Sequence, residues 1–370
     1  MPGNQLCISA DSHVVEPPEL FTPLEKRFGE QAPRVRFFED RGPQLDLGDG
    51  RLGLSISGFL QAGFDFGRPD AQELAKKGYG LARPGVYDIK ARLADQAVDG
   101  IDAEVIYPSV MFNVYQIQDL DIVKASFAAY NDWTADYVKD APDRLFPLAC
   151  IQLYDLDAAI AEMERAKKMG YVGVCIPATA PPDRLYSDAW YEKFWAASQA
   201  LKMPCTMHIF TGATANHGLP FQAATNALAF AGVVFTINDL IQSGVCERFP
   251  ELRFVMTEFE TGWVGITLKR LDWGWFRRGG ARTSPIPRRP SEYWKQNFRV
   301  TFEDDEIGIK TRDISGANTL LWGNDYPHGD SIFPDSQKVL NRILADCTPE
   351  ERYMMTAKGV VELYDLPFEV

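Results

Sequence analysis

The chain contains only four histidines, at positions 13, 208, 217 and 328. Three of them stand where chemistry is conceivable. His13 ends the triplet Asp11-Ser12-His13, His208 closes the short run Cys205-Thr206-Met207-His208, and His328 follows Asp325 by three residues in Gly323-Asn324-Asp325-Tyr326-Pro327-His328. Imidazole nitrogen and carboxylate oxygen together make a mixed donor set that suits Zn2+ or Mn2+, and suits Ca2+ or a thiolate-loving metal less well. Asp11, His13, His208 and Asp325 are therefore the candidate ligands of one divalent metal ion. Each has an ordinary reading when taken alone. Asp-Ser is also a turn or helix-cap composition, His208 reads equally as a satisfied core histidine, and Asp325 as a turn residue. Their joint placement carries the metal reading, because ligands distant in sequence must be brought together by a repeating architecture.

Such an architecture is legible. Short apolar, β-branched runs recur at Leu6–Ala10, Ala103–Tyr107, Leu145–Ile151, Val172–Ile176, Cys205–His208, Arg253–Met256, Phe298–Phe302 and Thr319–Trp322, with helical patterns between them. That alternation predicts a parallel sheet of β/α units, and eight strands are the number that closes a barrel. An open doubly wound sheet would show a glycine-rich phosphate loop after its first strand; here that strand runs into Ala10-Asp11-Ser12-His13 instead. The expected fold is an α/β (β/α)8 TIM barrel, one domain over 1–370. His13, His208, Asp325 and His328 then all open on the C-terminal face, where active sites of this fold are built. Asp155–Met169 has apolar residues at helical spacing and predicts an outer helix. Thr348-Pro349-Glu350-Glu351 is a capping box that starts a last helix. Residues 20–88, rich in Gly, Pro and Arg, separate the first strand from its helix, which is expected to begin near Tyr87-Asp88; this insertion should cover the barrel mouth. A second Pro/Arg-rich stretch, Arg277–Pro290, is expected either over the same face or at an interface.

Composition narrows the function classes. A net charge of −13 argues against nucleic acid as a partner. No window approaches the roughly 18 apolar residues of a membrane span, and the N-terminal segment lacks the basic and apolar regions of an export signal. The six cysteines lie at irregular spacings without a CxxC pair and read as small buried hydrophobes in a reducing cytoplasm. A cytoplasmic homo-oligomer, a dimer, acting on a small molecule is the expectation.

The motifs Ile8-Ser9-Ala10-Asp11-Ser12-His13, Arg92-Leu93, Asp99-Gly100-Ile101-Asp102-Ala103, Met207-His208, Phe249-Pro250-Glu251-Leu252-Arg253-Phe254-Val255 and Trp322-Gly323-Asn324-Asp325-Tyr326-Pro327-His328 resemble the amidohydrolase superfamily. The resemblance spans nearly the whole chain. It is to the amidohydrolase-related (amidohydrolase 2) branch, which includes aminocarboxymuconate semialdehyde decarboxylase-like and γ-resorcylate decarboxylase-like enzymes. It implies the same four ligands, Asp11, His13, His208 and Asp325. The chain departs from that pattern in two places. Many members begin with His-x-His or Glu-x-His, where this chain has Asp11-x-His13. Well-studied decarboxylases carry a histidine after strand six, where Thr257-Glu258-Phe259-Glu260-Thr261-Gly262-Trp263 places Glu258 instead.

Two reactions fit such a metal. In hydrolysis the ion acidifies a bound water and polarises a carbonyl, Asp325 carries the proton, and Glu258 or His328 is the second acid/base. In non-oxidative decarboxylation the ion chelates a carboxylate and its neighbouring oxygen, and Asp325 protonates the carbon that loses CO2. A carboxylate at Glu258 suits water activation better than it suits an anionic substrate, so hydrolysis of an aromatic or cyclic carbonyl or carboxylate compound is the first expectation and decarboxylation the alternative. Glu258 bracing a loop, and a non-catalytic binding or scaffold barrel, are blander readings. His217, in a loop-like stretch, and Arg68 and Arg83, in the insertion, are candidate substrate contacts. Phe37, Phe38, Phe64, Phe66, Tyr79 and Phe112 are candidate walls for a ring, or ordinary core.

Overall fold

The structure is a computed structural model that describes residues 6–181, 183–212 and 229–370. Eight parallel strands lie in the order β1 (Ile8–His13), β5 (Ala103–Tyr107), β6 (Leu145–Cys150), β7 (Gly173–Pro177), β8 (Cys205–His208), β9 (Phe254–Thr257), β10 (Phe298–Phe302) and β11 (Leu320–Trp322). The first and last meet: Ser12 bridges Tyr326 in parallel, the His13 N–H donates to the Tyr326 carbonyl (2.6 Å), and the Asp325 N–H donates to that of Asp11 (2.9 Å). The sheet thus closes into a (β/α)8 barrel, and the segments that close it are those carrying the candidate ligands.

Alternate strand residues fill the interior. Ile8, Ala10, Val105, Tyr107, Phe146, Leu148, Cys175, Val255 and Leu321 form one buried cluster with Val360, Val361 and Tyr364 of the last helix, Gly359–Tyr364. That helix plugs the N-terminal end. The outward strand residues pack under amphipathic helices. In Leu156–Lys168, Asp155 caps the Ala158 N–H, and Leu156, Ala159, Met163 and Ala166 face inward at helical spacing. Full burial of a large aliphatic or aromatic side chain contributes about 1.5–3 kcal/mol, so these stripes tie each helix to the sheet. The expected capping box is present at Thr348 and Glu351. The helix after the insertion is Ile89–Asp99, with Asp88 as its cap.

The first strand extends past its apolar run to His13. Ser12 pairs with Ile106 and His13 with Tyr107 beyond an irregularity between Ser9 and Ser12. Polar residues continue the strand because buried partners receive them: Ser9 and Ser12 donate to Asn324 Oδ1, and His13 Nδ1 meets the Pro108 carbonyl.

The insertion contributes the helix Thr22–Phe28 and an antiparallel sheet of β2 (Arg34–Phe38), β3 (Gly42–Asp46) and β4 (Leu52–Ser55). It docks on the loops at the C-terminal ends of the barrel strands. Ala62 N–H donates to the Pro327 carbonyl (3.0 Å) and Gly329 N–H to that of Gly58 (2.8 Å). Leu54 N–H reaches Asn113 Oδ1 (2.8 Å), and the Tyr79 hydroxyl reaches the Glu16 carbonyl (2.6 Å).

The stretch 277–290 does not dock there. It follows the helix Val264–Arg277 down the outside of the barrel. There Arg288 meets Glu247 (3.3 Å) and Trp275 Nε1 donates to the Ile286 carbonyl (3.2 Å). Residues 247–252 lead into the start of β9, so this loop belongs to the N-terminal end, opposite the candidate site. No helix among the described residues is long and apolar enough to cross a membrane.

Candidate metal centre

Four strand ends deliver the donors. His13 and His208 are the last residues of β1 and β8, Asp11 lies two residues before His13, and Asp325 follows β11; all four side chains are fully buried or nearly so. His13 Nε2 lies 3.3 Å from Asp11 Oδ1, 3.1 Å from Asp325 Oδ1 and 3.3 Å from His208 Nε2. His208 Nε2 is 3.6 Å from Asp11 Oδ1.

The tautomers decide what this convergence means. His13 Nδ1 lies 2.7 Å from the Pro108 carbonyl and His208 Nδ1 lies 3.0 Å from the Ile209 carbonyl. Carbonyl oxygens only accept, so each ring carries a hydrogen on Nδ1, and the two Nε2 atoms face each other as the positions open to a proton or a cation. Asp11 Oδ1 and both oxygens of Asp325 are buried without a hydrogen-bond partner. Two nitrogen lone pairs and three orphaned oxygens crowd one point, and only positive charge relieves such an arrangement. His13 reports the same demand. Burial disfavours its charged form, yet Asp11 and Asp325 lift it to about 9. The same rings hold Asp11 below the usual carboxylate range against the opposing effect of burial. The residues fit one divalent cation, Zn2+ or Mn2+.

A second set of contacts fixes this core. His328 stacks on His13 with ring centroids 3.8 Å apart. Its Nδ1 lies 2.8 Å from Asp325 Oδ1 and its Nε2 lies 2.8 Å from Ser109 Oγ. The Ser109 hydroxyl donates to the Val14 carbonyl (2.7 Å), so Oγ accepts from His328 Nε2–H, and Nδ1 faces the Asp325 carboxylate as a bare nitrogen. Burial disfavours the imidazolium form of His328, pushing it down to about 4. Sequence reasoning missed Ser109, although it stands two residues past β5, the kind of position that marked the histidines.

Thr301 is another such residue. Its Oγ1 lies 3.3 Å from Asp11 Oδ2 and accepts the Glu258 N–H (2.8 Å). Arg92, fully buried, pairs with Glu104 (2.7 Å) and donates to the His13 carbonyl (2.7 Å). Asn324 accepts from Ser9 and Ser12 (3.0 and 2.8 Å) and donates to Asp99 (3.1 Å). The Asp99 and Arg92 motifs thus brace the seam of the barrel.

Glu258, one residue past β9, brings Oε2 within 3.2 Å of His208 Nε2. Burial, then Asp325 and Asp11, raises it well above the usual range. Glu303, one residue past β10, is raised by the same burial and by Asp325. Glu258 and Asp325 both have left-handed backbones, with φ of 62° and 53°. Non-glycine residues pay roughly 1–3 kcal/mol for such strain, which concentrates at working sites.

The other candidates divide. Phe112 packs 4.4 Å from the His208 ring and forms a wall of the site. Phe59, not singled out from sequence, stands 4.9 Å from the His328 ring. Phe37 and Phe66 are exposed, and Tyr79 serves the insertion. Arg68 pairs with Asp70 at the surface (2.6 Å). Arg83 pairs with Asp95 (2.7 Å) and lies over the Phe333 ring. Neither arginine is brought to the cluster. His217 lies outside the described residues.

A (β/α)8 barrel with imidazoles and carboxylates converging at the C-terminal ends of its strands defines a metal-dependent enzyme. Comparison with known proteins places it more narrowly. A model of the amidohydrolase family matches residues 88–365, and the chain belongs to that family. A γ-resorcylate decarboxylase from Polaromonas sp. (strain JS666) is 26% identical over 269 residues, 65% of this chain and 77% of that protein. Among solved structures, an amidohydrolase from Mycobacterium avium subsp. paratuberculosis K-10 superposes with a TM-score of 0.76 at 18% identity, covering 98% of this chain and 99% of that one. A dihydroxybenzoic acid decarboxylase from Polaromonas sp. JS666, with bound manganese and the inhibitor 2-nitroresorcinol, gives 0.67 at 17% identity, covering 99% and 98%.

Proposed function

We propose that the protein is a metal-dependent, non-oxidative decarboxylase of a small hydroxylated aromatic acid. The observation that carries this reading is the Asp325–His328 pair, a buried couple set 2.8 Å apart against the metal cluster, the spacing at which the two can pass a proton. A reaction that ends by protonating carbon needs a donor there. The similarity to a γ-resorcylate decarboxylase supports the same choice. Sequence reasoning put hydrolysis first on the strength of Glu258. That carboxylate leans on His208, and the relatives favour carbon–carbon cleavage, so decarboxylation now stands first.

Asp11, His13, His208 and Asp325 would hold the ion. When bound, it supplies the positive charge that takes the substrate's carboxylate and adjacent hydroxyl. Phe112, Tyr107 and Phe59 pack against the imidazoles and keep water from a planar ring. The bond from ring carbon to carboxylate breaks with its electron pair left on the ring. A proton taken up from solvent through Asp325 and His328 then moves to that carbon, CO2 departs, and the arene keeps one added hydrogen. Ser109 fixes the His328 ring so that Nδ1 faces Asp325. The same reading takes the protein as a cytoplasmic homodimer. Ile266, Trp273 and Phe276 stand exposed along one outer helix as an apolar stripe for a second copy, and the six cysteines are free thiols.

The test is a panel of 2-hydroxy- and 2,6-dihydroxybenzoates given to Mn2+-loaded protein in D2O. Release of CO2 with deuterium at the vacated carbon is expected. Turnover of amides, esters or lactones, with no CO2 from any acid, would overturn the reading.

A further inference from the structure

We infer that Glu258 is a fifth protein ligand of the metal, making an oxygen-rich site of three carboxylates and two imidazoles suited to Mn2+. The inference rests on the metal centre proposed above. Glu258 Oε2 and His208 Nε2 lie 3.2 Å apart. The His208 hydrogen is on Nδ1, facing the Ile209 carbonyl, so Nε2 offers a lone pair that only a proton on Glu258 or a cation shared with it satisfies. The contact repeats the confrontation between His13 Nε2 and His208 Nε2 at 3.3 Å. One cation among these atoms resolves both contacts.

Donor atoms of Glu258, His13, Asp325 and His328 fall within 4.8 Å of one another, as do those of Asp11, His13 and His208. His13 belongs to both groups. The orphaned oxygens of Asp11 and Asp325 are buried and point to the same demand. Among the described residues His208 is the only ion-pair contact of Glu258, and a mostly buried carboxylate without a lysine or arginine stays charged only beside another cation. Thr301 aligns the arrangement, because one hydroxyl lies against Asp11 Oδ2 and accepts the Glu258 N–H.

Five protein donors exceed the four of a tetrahedral zinc site, and carboxylate oxygen is a harder donor than imidazole. Three carboxylates around a dication also leave the centre with one net negative charge, which weakens its acidification of bound water. That is a poorer setting for hydrolysis than for chelating an acid. Glu258 is then a ligand where the sequence read a base or a brace.

Metal affinity tests this without turnover. Mn2+ and Zn2+ binding to chelator-treated protein are measured by competition titration, with the EPR spectrum of bound Mn2+ recorded, for the native chain, Glu258→Gln and Glu258→His. Glu258→Gln should lose at least about tenfold in Mn2+ affinity and less in Zn2+ affinity, with an altered spectrum. Glu258→His restores a donor but exchanges oxygen for nitrogen, so Zn2+ should gain relative to Mn2+. Native Mn2+ affinity and an unchanged spectrum in folded Glu258→Gln overturn the inference. Native protein that binds metal as described but releases CO2 from no acid overturns the proposed reaction alone.

Discussion

His13 and His208 direct their Nδ1 hydrogens to backbone carbonyls and their Nε2 atoms to one point, so removing either ring takes away a donor that nothing nearby replaces. His13→Ala and His208→Ala should strip the ion and abolish turnover, as elemental analysis and an assay would register; a His208→Ala protein with native metal content refutes the assignment. The protonation of His13 adds a pH dependence. With its pKa raised to about 9, the metal-free site holds a proton at pH 7 that the ion must displace. Metal affinity should therefore rise by about tenfold per pH unit from 7 toward 9 and level off above. Titration calorimetry in buffers of different ionisation enthalpy would count the released proton, and an affinity flat over this range contradicts the picture. In the proposed reaction His328 acts through a proton rather than through the metal. His328→Phe keeps a ring against His13 but removes the couple with Asp325, so metal content should persist while turnover falls by about 10²–10⁴-fold.

The helix Ile89–Asp99 shows how an element outside the barrel sets the site. Its Arg92 reaches Glu104 on β5 and the carbonyl of His13 on β1. Arg92→Met leaves Glu104 charged and buried without its partner. Breaking such a pair costs about 3–5 kcal/mol, visible as a lower denaturation midpoint and as weakened metal binding through the loosened β1 end. The insertion is the other such element. Gly58 and Ala62 hydrogen-bond the loop that carries His328, and Phe59 packs on its ring. Ligand binding beneath the insertion should slow limited proteolysis within residues 20–88; cleavage at an equal rate with and without 2-nitroresorcinol and Mn2+ would separate the insertion from the site.

For the whole molecule, a metal held by β1, β8 and the end of β11, as proposed, would staple regions distant along the chain. Binding that is confined to the folded state stabilises it by about 2.7 kcal/mol when free metal is a hundredfold above its dissociation constant. Chelation should lower the melting temperature, and Mn2+ should restore it. Because insertion and barrel share the cores under β1 and β5, the 370 residues should unfold in one transition; a separate early transition for the insertion would assign it a domain of its own.

What the sequence determined is what local pattern can encode. The alternation of short buried runs with 3.6-residue periodicity specified eight strands and their helices. Strand ends marked Asp11, His13, His208 and Asp325, because a parallel barrel brings every strand end to one face. The tertiary structure decided relations among side chains that no local pattern carries. Ser109 and His328 are 219 positions apart and meet only because loops after β5 and β11 converge. Arg83 reads as a substrate anchor until the fold supplies Asp95 as its partner. The proline- and arginine-rich stretch 277–290 was legible as a loop, but the fourteen-residue helix before it carries it to the far end of the barrel. Glu258 was legible as a departure in residue type. Its place 3.2 Å from His208 depends on a left-handed backbone and on Thr301 from the neighbouring strand, so only packing between β9 and β10 sets the direction in which its carboxylate points.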